Sequence, residues 1–597
     1  MTGLLQVGIG NAGPEPVAGP GINNATIQDQ DGEEKKAIAV ADALGSVLHG
    51  RFIEWRDARR EKEDEWMESF RAYIGKYDET VETGFGKRSK VFVHLTRTKT
   101  LAAYSRIIDL MLGHGRHWDV EPTPEPDLTP ERMAEMYAVA EEVQPGVDLS
   151  DEEIEKAAVI LADRSCDKMR TRIEDQLAES NYEHLFKSAS LEMCIFGSGA
   201  LKGPVIKRKV SQTWGRGPDG SWNMADKEET VPGLESPSIF DLYPDPYATS
   251  IDDCTGIFER HVITAQWFRD LASHPGFDSA AIEEVLAATP NGNHEDYLHE
   301  TERRRLNGTS NVTVTNQRYD VMEYWGQVKG SELSAAGMVI SEEQMNMEFQ
   351  ANVWFCGNRT IKANLNPLKP ERLPYQICPY ERVPNSIWGI GVPMQMRDSQ
   401  IVINASVRAT LDNLGISSGP MMEVNVSLLA DGEDPRDLHP WRIFLRTGGD
   451  PAHPMIRVFH TNNITNELNN VTEQFRRFAD EETSLPSYTH GEAGQGLNKT
   501  ASGMSMLMGA ANVALKAIIK NIDDYLIKPV IGGLYNWNMK YSEDDEIKGD
   551  MTAIAQGSSS LLAKEIQSQR LIQYAQLTAN PIDAQLMGPG KRAGLLR

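Results

Sequence analysis

The stretch GEAGQGLNKTASG, residues 491–503, holds residue types that bind phosphate elsewhere: spaced glycines, a lysine and a threonine. A phosphate loop requires GxxxxGK[ST], so that backbone amides cradle the anion and the lysine reaches it at a fixed distance. Here Gly491 and Gly496 have the first spacing, but Leu497 and Asn498 separate them from Lys499 and Thr500. The preceding EETSLPSYTH does not read as a strand, and no acidic strand for Mg²⁺ stands nearby. The loop therefore reads as mechanical. A second glycine motif, GIGNAG at Gly8–Gly13, is followed at once by Pro14 and Pro16, which exclude the helix that dinucleotide binding needs.

Other reactive residues reduce to structural roles. His114 and His117 stand three apart, a metal-compatible spacing on a helix, but Gly113 and Gly115 flank them and no third ligand is near. Asp245, Asp252 and Asp253 lie in a proline-bearing segment and read as turn formers. With no GxSxG and no HExxH, the sequence gives no catalytic residues, no metal ligands and no cofactor.

The chain of 597 residues carries 60 basic and 86 acidic side chains, a net charge of −26. Such a surface gives no broad electrostatic grip on nucleic acid, although local basic rings could touch a phosphate backbone. Five scattered cysteines without a CxxC argue for a reducing compartment. No apolar run is long enough for a membrane span, and the N-terminus does not read as a secretory signal.

Along the chain, residues 1–34 read as a flexible arm and Glu34 to about Lys76 as a helix with Trp55, Trp66, Phe70 and Tyr73 interleaved with charge. Residues 204–380 become β-like, with VIKRKVSQTW, RYDVMEYWGQV and ANVWFCGNRTIKAN alternating between turns, and helical pieces at 264–273 and 279–288. The class is α+β. In 391–415, Pro393 is placed to begin a helix and Gly415 to end it, and Ile403, Val407, Leu411 and Leu414 form an apolar stripe. A second helix, 463–484, spaces Ile464, Leu468, Val471, Phe475 and Phe478 by 4, 3, 4 and 3, the seam of a coiled-coil-like contact. Between them lie residues 416–462, with short β runs. Two comparable helices bracketing a small β module suggest a projecting hairpin; two ordinary helices in a compact domain fit the pattern as well. After the 491–503 loop, Met504, Leu507, Ala511, Leu515, Ile518, Ile522 and Tyr525 share one face of a helix expected to break at Pro529.

The order of these parts resembles the portal (head–tail connector) proteins of tailed bacteriophages, in their podovirus-like branch. The resemblance rests on FGSGALKGP (Phe196–Pro204), SIFDLYPDPYATSIDDCTGIFERHVIT (Ser238–Thr264), the run Pro379–Asn413 and LNKTASGMSM, and covers most of 35–580. It implies a ring, usually of twelve copies, around an axial channel for double-stranded DNA. Its parts would be a mixed α/β wing (35–390), stem helices 391–415 and 463–484, and a clip at 416–462. A tunnel loop with a long wing helix (485–545) and a short helical crown (546–597) would follow, without the long C-terminal barrel of some relatives. Implied partners are the terminase large subunit, the major capsid and scaffolding proteins and a tail adaptor. The implied location is the capsid portal vertex of the virion, with a host-cytoplasm stage during assembly. Lys499, Arg476 and Arg477 are the candidates to face DNA; for the two arginines, pairing with acids of a neighbouring stem is the more ordinary reading. The alternative is an ATP-driven packaging motor or nuclease subunit using Gly491–Thr500.

Lys499→Glu is expected to alter DNA packaging or retention while ring assembly stays intact. Normal DNA content in particles carrying the variant counts against a DNA contact at this residue.

Overall fold

The computed structural model describes residues 42–557 apart from 114–115, 124–150, 217–221, 310–316, 369–370, 420, 438, 440, 451 and 487–514. The GIGNAG motif, His114 and the Gly491–Thr500 loop with Lys499 thus lie outside the described residues.

The chain opens on α1 (Ala43–Ile74). Asp42 caps it by accepting from Gly45 N at 2.6 Å, and also accepts from Thr360 N at 2.7 Å, so the cap pins the helix to the sheet beside it. Then follow α2 (Leu95–Leu112), β1 (Trp118–Pro122), α3 (Asp151–Glu179) and α4 (Tyr182–Phe196). The long strands β2 (Ser198–Arg216) and β3 (Trp222–Glu235) form an antiparallel ribbon. Strands β4 (Leu242–Pro244), β5 (Gly256–Thr264), β6 (Arg318–Lys329), β7 (Glu348–Cys356) and β8 (Arg359–Leu365) form an antiparallel meander of five. Then β9 (Tyr375–Pro379) pairs with the start of β2, giving the order β3-β2-β9. The remaining elements are α5 (Arg397–Ser417), β10 (Met421–Val424), β11 (Ile456–Phe459), α6 (Thr465–Glu482), a helix from 515 ending in α7 (Lys528–Tyr541), and β12 (Met551–Ala555), which pairs with β1.

Four hydrophobic clusters hold these layers together. The largest joins α2, α3 and α4 to the 515–541 helix, with Phe186, Ile107, Ile173 and Ile522 fully buried. Another packs Leu48, Phe52 and Trp55 of α1 on Phe258, Tyr324 and Phe355 of the five-stranded sheet. All five cysteines are free and buried among these layers.

Three sequence expectations change. The β6 stretch RYDVMEYWGQV does not alternate: residues 319–326 are buried without a break, because side chains from β6 reach the clusters on both faces of the sheet. The helix expected over 391–415 begins as a short turn, Val392–Gln395, breaks at Met396 and then runs as α5 through Gly415 to Ser417. Pro529 does not end its helix. Asp523–Ile527 open into a π-turn closed by Lys528 N–H on Asp523 O, and Pro529 then sits at the start of α7. A proline ring crowds the carbonyl four residues back, and the wider turn moves that carbonyl aside.

The FGSG and WGIG motifs meet. Gly197 has a φ of 89°, and a Cβ there would lie 2.5 Å from Gly389 O and 2.6 Å from Gly391 N. At Gly391 a Cβ would lie 2.7 Å from Gly197 N. The crossing backbones are joined by Tyr380 N on Gly197 O and Gly389 N on Ser198 Oγ, both at 2.9 Å.

A buried charge network joins the two larger sheets. Lys202 of β2 donates to Glu259 of β5 at 2.6 Å and to Glu323 of β6. Glu323 also accepts from Trp325 (2.6 Å) and Asn352 (3.0 Å), and Tyr375 of β9 donates to Glu259 at 2.8 Å. Glu235 lies 4.0 Å from Lys202, and Lys362 lies beside the Trp354 ring on which His261 stacks. Glu235 is paired with Lys207 at 2.9 Å, so Lys202, Lys207 and Lys362 match Glu235, Glu259 and Glu323, and His261 adds a further contact 3.2 Å from Glu323. Burial alone would lower the His261 pKa, but the Glu323 hydrogen bond and the Glu259 charge outweigh it and hold it above the ordinary value.

The sign follows: a raised histidine stabilises the fold fully below about pH 6.5 and loses that contribution as pH rises through its folded value. Between about pH 6 and 8 the denaturant midpoint should fall more steeply for wild type than for His261→Gln; equal slopes would remove His261 from the balance. Lys202→Met, which leaves two buried carboxylates facing each other, should cost about 3–5 kcal/mol in the same titration.

Candidate functional site

Helices α5 and α6 pack against each other along their lengths, and β10 pairs antiparallel with β11 between them. None of the four hydrophobic clusters contains a described residue from 397 to 478. Ala479, near the end of α6, lies in the largest cluster; the rest of the pair and its module stand apart from the body's cores among the described residues. Apolar side chains stay open on both helices: Ile401, Leu411, Leu414 and Ile416 on α5, and Ile464 and Phe478 on or beside α6, all about 40–50% exposed. In the module, Trp441 is almost wholly exposed and Ile443 is 77% exposed.

Polar side chains fasten α5 to the body. Gln400, Asn404, Arg408 and Asp412 recur every four residues and lie along the segment before α2. Thr96 donates through N and Oγ1 to Gln400 Oε1 (3.1 and 2.8 Å), and Gln400 Nε2 donates to Val93 O (2.8 Å). Val93 N donates to Asn404 Oδ1 (2.9 Å) and Ser89 N to Asp412 (2.8 Å). Arg408 donates to Tyr77 and lies 4.4 Å over the Phe85 ring. The far end of α6 has its own anchor. The fully buried Lys99 of α2 donates to Asp480 (2.7 Å), Thr483 Oγ1 (3.3 Å) and Leu485 O (2.5 Å), satisfying groups at the helix end. Burial pulls the Lys99 pKa down despite Asp480. At the other end, Asn413 donates to Asn462 O (3.1 Å) and accepts from Ile464 N (3.2 Å), clasping both ends of the module.

The seam expected from sequence is only partly covered. Ile403 is fully buried; Val407, Leu468, Val471 and Phe475 are half-buried; Leu411, Ile464 and Phe478 face outward. Phe475 and Phe478 meet edge to face at 5.3 Å. A stripe of this width is broader than the contact one partner helix provides. Arg476 lies 4.0 Å from Glu473, and Arg477 is exposed without an ion pair among the described residues. Sequence reading missed both anchors. The four-residue spacing of Gln400, Asn404, Arg408 and Asp412 was a legible signal; Lys99, 381 residues from Asp480, gave none.

Two groups of described residues have metal-type donors, and both already hold protein cations. Glu259, His261 and Glu323 surround Lys202. His294, Asp296 and Glu300 meet Arg304 and Arg260, with Arg260 2.8 Å from Glu300 and Arg304 2.5 Å from Asp296. His117 is buried at 3.1 Å from Tyr182 OH, with its pKa pushed down to about 4 by burial. Asp253 accepts from the backbone N–H of Thr249 and Ser250, and Asp245 from that of Tyr247, as turn formers do. A cavity of about 330 Å³ at the foot of α5 is lined by Arg71, Tyr77, Phe92, Met394 and Ile401, with Glu68, Ser69 and Asp78 at its wall. No described helix is long and apolar enough to cross a membrane.

A family model described as phage SU10 portal protein matches residues 226–554, more than half of the chain, spanning the five-stranded sheet, the helix pair and the helix after it. A search of curated proteins gives no match.

Asn404→Leu leaves the Val93 N–H without its acceptor and should lower stability by about 1–3 kcal/mol in denaturant titration, with protease cleavage appearing first between residues 77 and 94. Unchanged stability and cleavage would dismiss the polar stripe as the fastening of α5.

Proposed function

The chain belongs to the phage SU10 portal protein family, and from that premise we propose that its copies close into a ring, twelve being the usual number for portals, around a channel for double-stranded DNA. The family's role is structural rather than enzymatic and places the protein at the capsid vertex of the virion. In this reading α5 and α6 are the stem, residues 416–462 the clip, and residues before 391 the wing. DNA passes through the ring during packaging and ejection. Around it dock the terminase large subunit, the major capsid and scaffolding proteins and a tail adaptor, after a stage in the host cytoplasm.

The observation that carries this reading is the open apolar surface of the helix pair. Six Leu, Ile and Phe side chains on two helices that touch the described cores only through Ala479 need a second surface, and each such side chain contributes about 1.5–3 kcal/mol when fully buried. An identical pair beside it supplies that surface with matching length. The net charge of −26 per copy supports passage rather than capture, since an acidic wall repels phosphate and leaves DNA free to slide. Lys499, Arg476 and Arg477 remain the proposed points of contact with the DNA backbone; Arg477 is the exposed one of the two stem arginines.

Leu414→Asp combined with Ile464→Asp should leave a folded monomer, with wild-type circular dichroism, at concentrations where wild type forms rings by mass photometry and negative-stain imaging. Rings that survive both substitutions, or wild-type protein that stays monomeric, would defeat the proposal.

A further inference from the structure

Strands β2 and β3 remain paired far beyond the sheet they start in. β9 covers only Ser198–Lys202, whereas β2 and β3 continue as a two-stranded ribbon through twelve residue pairs, Val205↔Gly233 to Arg216↔Trp222. At 3.3 Å per residue the ribbon is about 40 Å long. A two-stranded ribbon has no core of its own and is marginal in water unless something packs on it. One face leans on its own subunit: Lys209 pairs with Glu179 at the end of α3 (2.6 Å), and Lys207 with Glu235 (2.9 Å). The opposite face carries Ile206, Val210 and Trp214 at four-residue intervals on β2, with Met224 directly across from Trp214, all more than half exposed.

That stripe holds one base and two acids where it is described: Arg208 lies 3.9 Å from Glu228 across the ribbon, and Asp226 stands opposite Gln212 on the same face. It thus suits a protein surface and offers no surplus positive charge for phosphates. Its area decides which protein. A face about 40 Å long and two strands wide offers roughly 400 Å², about half of what each partner of a standard stable interface contributes. A contact of that size holds only where its two sides are already kept together by another contact, when the second engagement becomes intramolecular. Copies joined through their stems meet this condition.

We infer that the apolar face of the β2–β3 ribbon lies on the adjacent copy in the ring, forming a second inter-subunit contact separate from the stem; the inference rests on the ring assembly proposed above. The ribbon is then a strap between neighbours. Its stability comes from assembly, and Trp214 is its central anchor, in keeping with the weight that buried tryptophans carry in interfaces.

The test places a photoreactive amino acid at position 214, and separately at 210, in purified full-length protein, with ring formation checked by mass photometry before illumination. Covalent dimers whose cross-linked peptides join position 214 to a different copy support the inference. Rings that form but give no inter-copy product, or cross-links only within one chain, overturn it while leaving the ring proposal standing. Absence of rings overturns both. As a second measure, Val210→Asp with Trp214→Asp should raise the protein concentration at which rings dissociate by at least about tenfold, with the monomer's circular dichroism unchanged. An unchanged dissociation concentration would sink the strap.

Discussion

Everything in this chain turns on two backbones that touch. Where β2 begins and β9 ends, Gly197, Gly389 and Gly391 come closer than any side chain would permit. The crossing fixes three things at once: the start of the long ribbon, the edge partner of its sheet, and the point from which the chain leaves for α5. Backbone packed on backbone has no rotamers to adjust, so the angle at which α5 departs is set by main-chain geometry, hydrogen-bonded through Tyr380 and Ser198. The fold has little freedom here.

Around that joint the two halves use opposite kinds of attachment. The sheets and body helices are held by large apolar clusters and by one fully satisfied charge network, in which Lys202 sits where a metal ion would otherwise be needed to offset two carboxylates. The helix pair is attached mainly by discrete polar bonds, a stripe of four side chains at the foot of α5 and Lys99 at the end of α6, with Ala479 of α6 the residue that enters an apolar cluster. Such bonds specify register and direction more than they add stability. A pair held this way keeps apolar faces open, as the proposed ring would require.

Patterns that depend on near neighbours were legible in the sequence. The glycine motifs, the 4-3-4-3 spacing of α6 and the β-like middle all name local geometry, and the resemblance to portal proteins rested on contiguous stretches too, Phe196–Pro204, Ser238–Thr264, Pro379–Asn413 and LNKTASGMSM. Features set by distant partners were not. β6 reads as a half-exposed strand until both covering layers are known, Lys99 as one more lysine until Asp480 is beside it, and Pro529 as a stop until a π-turn accommodates it. The exposed stripe of β2 shows the converse. Ile206, Val210 and Trp214 lie in a stretch that reads as an ordinary strand, and only the structure shows that no described residue covers them.

Asn413 closes the module between α5 and α6 with one amide, bonded to Asn462 and Ile464. With its two ends pinned at one place and no cluster threading through it, the module's interior is decoupled from the rest of the molecule. Loop-closure entropy changes only with the logarithm of length, so insertions or replacements there carry a small and local penalty. Such a segment can change in length and sequence while the joint, the sheets and the anchors of the helix pair stay as they are.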